Sequence, residues 1–320
     1  LRLRPFLAFR SVKEFTHANG VANRNYQVVD GGICTCLYAG YPNLYLQFDK
    51  PNEFIYQPDW YRDIEYAKER ERGYDSTEDL YVPGYFELDI KKGESVVFSA
   101  STSEIEPATL HDLFAKEVAE RTPRDNFFHC LVNAAHQFHI HEKNGDRYIL
   151  AGYPWFKCRA RDMFIALPGL TLSINERDYF ELVMETAMRG LQEFMAGQPL
   201  SVKIAEIEQP DVMLWAVWCI QQYAKDAGLK ACQSRYGELL HAILSFIESG
   251  HHPHLTLKEN GLVYTEGHEK PMTWMNSMAD GHPIVPRSGY IVEFNALWYN
   301  ALKFSAEMAA LMHDEAEEKR

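Results

Sequence analysis

The spacing of apolar residues changes character about one third of the way along the chain. Up to about residue 100 the apolar positions come in short, β-branched or aromatic runs, at 1–10, 26–29, 34–38, 44–48, 81–88 and 95–100. Turn residues separate them, as at Asp30-Gly31-Gly32, Gly40-Tyr41-Pro42 and Lys91-Lys92-Gly93. Runs bounded in this way read as strands and predict part of a β-sandwich. The pattern gives way near Ser101-Thr102-Ser103-Glu104. Beyond Leu110 apolar residues recur at helical intervals, first Leu113, Phe114 and Val118, then Phe127, Phe128, Leu131, Val132 and Ala135. Further helices are predicted over 162–174, 179–195, 212–227, 234–247 and 292–312. Asn175, Gly197 and Gly228 follow the first three of these blocks, where end signals are expected. The expected organisation is residues 1–104 as the carboxy-terminal part of a β-sandwich domain, then residues 105–320 as a helical domain with its chemistry on loops.

Composition excludes several classes of function. The 320 residues suffice for two ordinary domains, and 46% hydrophobic residues is a globular fraction. The apolar segment 163–172 is far shorter than the roughly 20 residues of a membrane span, so no membrane partner is expected. With 32 basic against 45 acidic residues the net charge is −13. Such a chain repels phosphate backbones, and nucleic acid is not an expected partner. Cys34, Cys36, Cys130, Cys158, Cys219 and Cys232 follow neither a disulfide-framework nor a zinc spacing. Cys130 and Cys219 lie in apolar helical patterns and are expected to pack as small hydrophobes, in a reducing, cytoplasmic setting. The sequence opens at Leu1 without a signal-peptide pattern and reads as an interior segment.

Four segments carry candidate chemistry: 152–162, 211–218, 273–287 and 293–299. Each sets an acid or amide beside tryptophan, tyrosine or arginine near a helix start. Sugars bind through that mixture, because a pyranose presents CH groups to an aromatic face and hydroxyls to carboxylates. Taken singly, Trp215 and Trp218 read as core and Asp211 as a helix N-cap. Four such junctions in one chain favour a common pocket, with Trp155, Arg161, Asp211, Trp215, Trp274, Asn276 and Arg287 as substrate-binding candidates.

The motifs are also specific. Ala151-Gly152-Tyr153-Pro154-Trp155-Phe156, followed by Arg161-Asp162-Met163-Phe164-Ile165-Ala166-Leu167-Pro168-Gly169, resembles a signature of the glycogen-debranching (amylo-α-1,6-glucosidase) family. Thr273-Trp274-Met275, Val285-Pro286-Arg287 and the segment from Val292-Glu293-Phe294 to Tyr299-Asn300 resemble its second block. Arg4-Pro5-Phe6, Asp59-Trp60-Tyr61 and Val82-Pro83-Gly84 resemble its amino-terminal β domain. The resemblance implies a six-hairpin (α/α) barrel, of which the predicted helices make up about half. Segments 212–220 and 294–304 are accordingly expected to leave apolar faces uncovered.

The implied reaction is inverting hydrolysis of an α-1,6-linked branch-point glucose, on glycogen or a branched α-glucan. It needs a protonated acid at the leaving oxygen and a carboxylate activating water, roughly 6.5–9.5 Å apart. The family places aspartate directly after Thr-Trp-Met, whereas this chain has Asn276, and an amide cannot act as the acid. Asp162, Asp280 and Glu293 are the local carboxylates able to substitute, with Asp162 ranked first because Arg161 and the helix start would hold it. Asp162 and Glu293 are the catalytic candidates, and a general base is expected beyond Arg320.

His251, His252 and His254 read as an ordinary loop, and His136, His139 and His141 as residues near one helix end. No phosphate-cradling loop and no nucleophile elbow is found, and neither metal nor cofactor is expected. An inverting phosphorylase and a non-catalytic glucan-binding relative are the competing readings.

Overall fold

The computed structural model describes residues 1–153 and 155–311. The chain divides into two compact units, Leu1–Pro123 and Arg124–Arg320.

In the first unit, β1 (Arg2–Leu3), β5 (Glu53–Glu65) and β6 (Thr77–Glu87) form one antiparallel sheet in the order β1-β6-β5. A second sheet, in the order β2-β3-β4-β7, joins β2 (Tyr26–Val29), β3 (Gly32–Thr35), β4 (Leu44–Phe48) and β7 (Phe98–Ser101). Ile33, Leu46 and Phe48 of the second sheet bury against Phe86 of the first, with the Phe48 and Phe86 rings 5.0 Å apart. A short helix, α1 (Ala67–Glu71), links β5 to β6, and α2 (Leu110–Glu120) closes the unit.

The long strand β5 escapes the sequence reading because its pattern is interrupted twice. Register shifts fall between Tyr56 and Asp59, around Pro58, and between Tyr61 and Ile64. Proline cannot donate to a ladder and is tolerated at such a bulge. At the second shift Asp63 is left-handed (φ 56°), and its amide donates to Asp79 Oδ1 at 2.9 Å. Opposite the first shift, where it pairs with Tyr56, Gly84 is required by close approach, since a Cβ there would lie 2.1 Å from the Ile55 carbonyl oxygen. Segment 1–10, expected as one strand, pairs only at β1 and at an isolated Leu7–Tyr81 bridge. Arg10 compensates by gripping buried Glu78 with two bonds, of 2.6 and 2.8 Å, and Tyr66 donates to the same carboxylate. Burial would raise the Glu78 carboxyl, but the bonds from Arg10 and Tyr66 outweigh it and hold it below its ordinary value.

The second unit is helical: α3 (Phe127–His136), α4 (Ala160–Leu170), α5 (Arg177–Met195), α6 (Val212–Ala227), α7 (Leu229–Glu248) and α8 (Val292–Leu311). Short hairpins interrupt the helices: β8 (His139–His141) with β9 (Arg147–Ile149), β10 (Thr256–Leu257) with β11 (Val263–Tyr264), and β12 (Met278–Ala279) with β13 (His282–Pro283). The pattern expectation of a sheet-rich part followed by a helical part holds. α6 spans the predicted block, while Met312, the last residue of the final predicted block, lies outside the described residues.

Two expectations need correction. Segments 212–220 and 294–304 do not present uncovered apolar faces. Val212, Met213, Leu214, Val217 and Ile220 are buried, as are Phe294, Trp298 and Phe304, because α6 packs against α4, α7 and α8. A helix apolar on most sides belongs at such a centre. The exposed apolar residues lie elsewhere: Phe127, Phe128 and Leu131 point outward from α3, which buries Val132 and Ala135 instead, and Leu113, Phe114 and Val118 are exposed on α2. Cys130 is likewise exposed on α3, two positions before the first buried residue Val132 and so turned away from it, whereas Cys219 is fully buried.

Candidate active site

Two arginine–carboxylate pairs stand at helix starts. The first joins α4 to α6. At the start of α4, Ala160 N–H donates to the Ala205 carbonyl (2.9 Å) and Ala205 N–H to that of Cys158 (3.0 Å), which ties the entry of α4 to the segment leading into α6. Arg161, in the first turn of α4, donates through Nε and Nη2 to the two oxygens of Asp211, at 2.7 and 2.8 Å. Asp211 precedes α6 but gives no side-chain cap; its Oδ2 also accepts from Trp215 Nε1 at 3.2 Å. Trp215 lies edge-on to Trp218, 5.5 Å between ring centres, and both indoles are half-buried against the core. The expected grip of Arg161 on Asp162 is absent, because adjacent helical residues point about 100° apart. Arg161 turns into the unit and Asp162 outward, where Arg159 Nε lies 4.0 Å away. Arg159 itself pairs with Glu206 at 2.5 Å.

The second pair sits where the loop 265–291 meets α8. Arg287 donates through Nη2 to Glu293 Oε2 at 2.9 Å and through Nη1 to Oε1. These bonds, chiefly, hold the Glu293 carboxyl below its ordinary value against a partial burial that would raise it, and the indole N–H of Trp274 contributes in the same direction. Trp274 itself is 64% exposed. The backbone around this pair is fixed. Asn295 clasps β11, its Oδ1 accepting from Val263 N–H (2.9 Å) and its Nδ2 donating to the Val263 carbonyl (3.0 Å). Thr265 and Gly289 exchange backbone hydrogen bonds of 3.1 and 2.8 Å. A Cβ at Gly267 would fall 1.9 Å from the Arg287 carbonyl oxygen, so that approach requires glycine. Ser288 Oγ donates to Glu266 (3.0 Å), which also accepts from the Tyr264 hydroxyl (2.7 Å).

The remaining candidates are more loosely placed. Trp155 is about half exposed in a turn closed by a Gly152–Phe156 bridge, with the Arg159 guanidinium over the Phe156 ring. Asn276 is half-buried, and its amide makes no hydrogen bond among the described residues. Asp280 occupies, with Gly281, the left-handed turn between β12 and β13 (φ 51° and 82°) and is exposed. The Asp-Gly dipeptide is the signal for such a hairpin. Thus the structure joins Arg161, Asp211 and Trp215 in one group and Trp274, Arg287 and Glu293 in another. Among the described residues it gives no direct contact between the groups, nor from Trp155 to either. Arg159, Glu206, Glu266 and Ser288 were not foreseen, and only the cluster Arg159-Ala160-Arg161-Asp162 before a helix hinted at the first of them.

The histidines divide differently from expectation. His252 is buried between Phe194 and Phe246, accepts from His254 N–H at 3.1 Å, and is pushed down to about 4 by burial. His139 lies on β8, stacks on Tyr179 and donates to the Leu170 carbonyl at the end of α4 (3.0 Å). Among the described residues no group of three or more His, Cys, Asp or Glu could hold a metal ion, and no helix is long and apolar enough to cross a membrane.

Comparison with known proteins identifies the two parts of the chain. A family model described as the glycogen debranching enzyme N terminal matches residues 1–97, and one described as amylo-alpha-1,6-glucosidase matches residues 132–319. No curated protein and no solved structure gives a match. The second match alone spans more than half of the sequence, and the chain belongs to the glycogen debranching enzyme (amylo-α-1,6-glucosidase) family.

Proposed function

We propose that the chain acts in inverting hydrolysis of α-1,6-linked branch-point glucose from glycogen or a similar branched α-glucan, on a helical unit built as part of a six-hairpin barrel. The observation that carries this reading is the grouping of Glu293, Arg287 and Trp274 at the start of α8. The clamped carboxylate is ionised at neutral pH and accepts hydrogen bonds from a sugar hydroxyl or a water, while the exposed indole receives a pyranose face. An ionised Glu293 cannot be the proton donor. We assign that role to Asp162 at the start of α4, 4.0 Å from Arg159 Nε, whose carboxyl must carry a proton when substrate is bound; its alternative role is that of a carboxylate accepting from a sugar hydroxyl. Arg161, Asp211 and Trp215 set the α4 and α6 entries, Trp155 lines the same mouth, and Asn276 binds a hydroxyl. α6 packs against both α4 and α8, which supports a shared loop end for the two groups.

Glucose release from branched limit dextrin, with the anomer of the product followed by NMR, tests the proposal. Release of β-glucose is expected from the full-length protein, which must also supply the general base. Asn276 favours a second reading, a glucan-binding protein without hydrolysis. Under that reading the protein binds the dextrin and releases nothing, and Asn276→Asp restores turnover.

A further inference from the structure

The first unit carries a cleft outside the groups described above. It opens between the edge strand β2, the Asp30-Gly31-Gly32 turn, and the start of β5, itself an edge strand, with a volume of about 520 Å³. That is within the range of small-ligand sites, roughly 300–1,000 Å³. Its wall carries the rings of Tyr26 and Phe54, which meet edge-on at 4.9 Å, and Tyr56, outside the lining, holds Tyr26 in place by stacking on it at 5.3 Å. The Tyr56 hydroxyl donates to the Arg24 carbonyl at 3.3 Å, yet the residue remains 46% exposed. The rim offers acceptors. Asp30 and Glu53 are exposed, and their carboxylates have no partner among the described residues. Asn52 donates through Nδ2 to the Gly31 and Lys50 carbonyls (2.9 and 3.1 Å), which leaves its Oδ1 unpaired. Buried Gln47 fixes the turn by donating to the Asp30 carbonyl at 2.8 Å.

The chemistry of these groups selects the ligand. Free carboxylates repel anions, and the one nearby ammonium, Lys50, is paired with Glu94 at 3.1 Å. No cation-binding group of three or more ligating side chains exists among the described residues. A rigid aromatic wall beside several unpaired acceptors suits a neutral polyhydroxylated ring, with CH groups on Tyr26 and Phe54 and hydroxyls donating to Asp30, Asn52 and Glu53. We propose that this cleft is a second, non-catalytic oligosaccharide site. That its ligand is an α-linked glucan chain rests on the function proposed above.

The test is calorimetric titration of maltoheptaose into the protein carrying Trp274→Ala and Glu293→Gln, which silences the proposed hydrolytic site. Saturable binding is expected to persist there. Adding Tyr26→Ala, or separately Asp30→Ala with Glu53→Ala, should weaken it at least fivefold. The two acidic side chains are exposed and lack partners, so that variant keeps its fold and remains informative if the tyrosine variant does not. Loss of all binding in the Trp274→Ala/Glu293→Gln protein would overturn the proposal, as would unchanged affinity after removal of Asp30 and Glu53. Glucose release by the unmodified protein is read separately. Its absence together with Tyr26-dependent binding removes the proposed hydrolysis and leaves this site standing.

Discussion

Arg161–Asp211 and Arg287–Glu293 are built alike, each a forked guanidinium on a carboxylate near a helix start, but they sit in different surroundings. The first pair is nearly enclosed, with side chains 10% and 3% exposed, and Asp211 has a third bond from Trp215. The second is open, at 23% and 31%, beside a tryptophan that faces solvent. Burial decides what the same geometry can do. An enclosed pair whose acceptors are all engaged fixes two helices, whereas an open pair keeps an ionised carboxylate available to a ligand.

Variants that separate the two pairs sharpen this contrast. The largest effect on folding is expected from Asp211→Ala, which leaves the Arg161 guanidinium buried and unpaired at a cost of about 3–5 kcal/mol. Chemical denaturation should show it as a lowered midpoint. Arg287→Ala breaks a partly exposed pair and should cost roughly 0–1 kcal/mol. A loss as large as that of Asp211→Ala would remove the distinction.

An intermediate effect is expected on binding. Trp274→Ala should weaken affinity for branched dextrin by about 1–2 kcal/mol in calorimetry, on the order of a lost aromatic contact, with little change in stability. Trp215→Ala should do the reverse, because its indole supports Asp211 and the core.

The contrast was only partly legible in the sequence. Periodicity located α6 because its apolar positions follow one period without interruption, and β2 and β4 because turn residues bound them. It missed β5, where Pro58 and the left-handed Asp63 break the alternation, and it did not separate the exposed Phe127, Phe128 and Leu131 of α3 from the buried Val132 and Ala135. An amphipathic stripe gives a period but not which neighbour covers it. The members of the two pairs were legible as residue types, since Arg161, Asp211, Arg287 and Glu293 were all singled out. Their pairing was not. Proximity in sequence suggested Arg161 with Asp162, but the helical rotation between adjacent residues sends Arg161 to a partner 50 positions away.

Acid pH gives a subtler comparison. Arg287 depresses the Glu293 carboxyl, so activity that needs the ionised form is present above that lowered pKa and lost as pH falls through it. Arg287→Gln removes the depression, and the acid limb of the pH–rate profile should move to higher pH. Glu78 and Asp146 are also held low, by Arg10 and Arg189 against the opposing effect of burial. Their contributions to stability are present above the ordinary carboxylate range and disappear as pH falls through the depressed values. Thermal melts in acid should therefore show stability declining below about pH 4, and Arg10→Gln should flatten that decline.

The most direct test of the central claim is glucose release from branched limit dextrin by Glu293→Gln, measured beside its thermal unfolding. The open pair at α8 is expected to serve chemistry and not folding. Turnover should fall roughly 100-fold or more, while the unfolding temperature stays close to that of the unmodified protein. A Glu293→Gln protein that releases glucose at the unmodified rate would contradict the assignment.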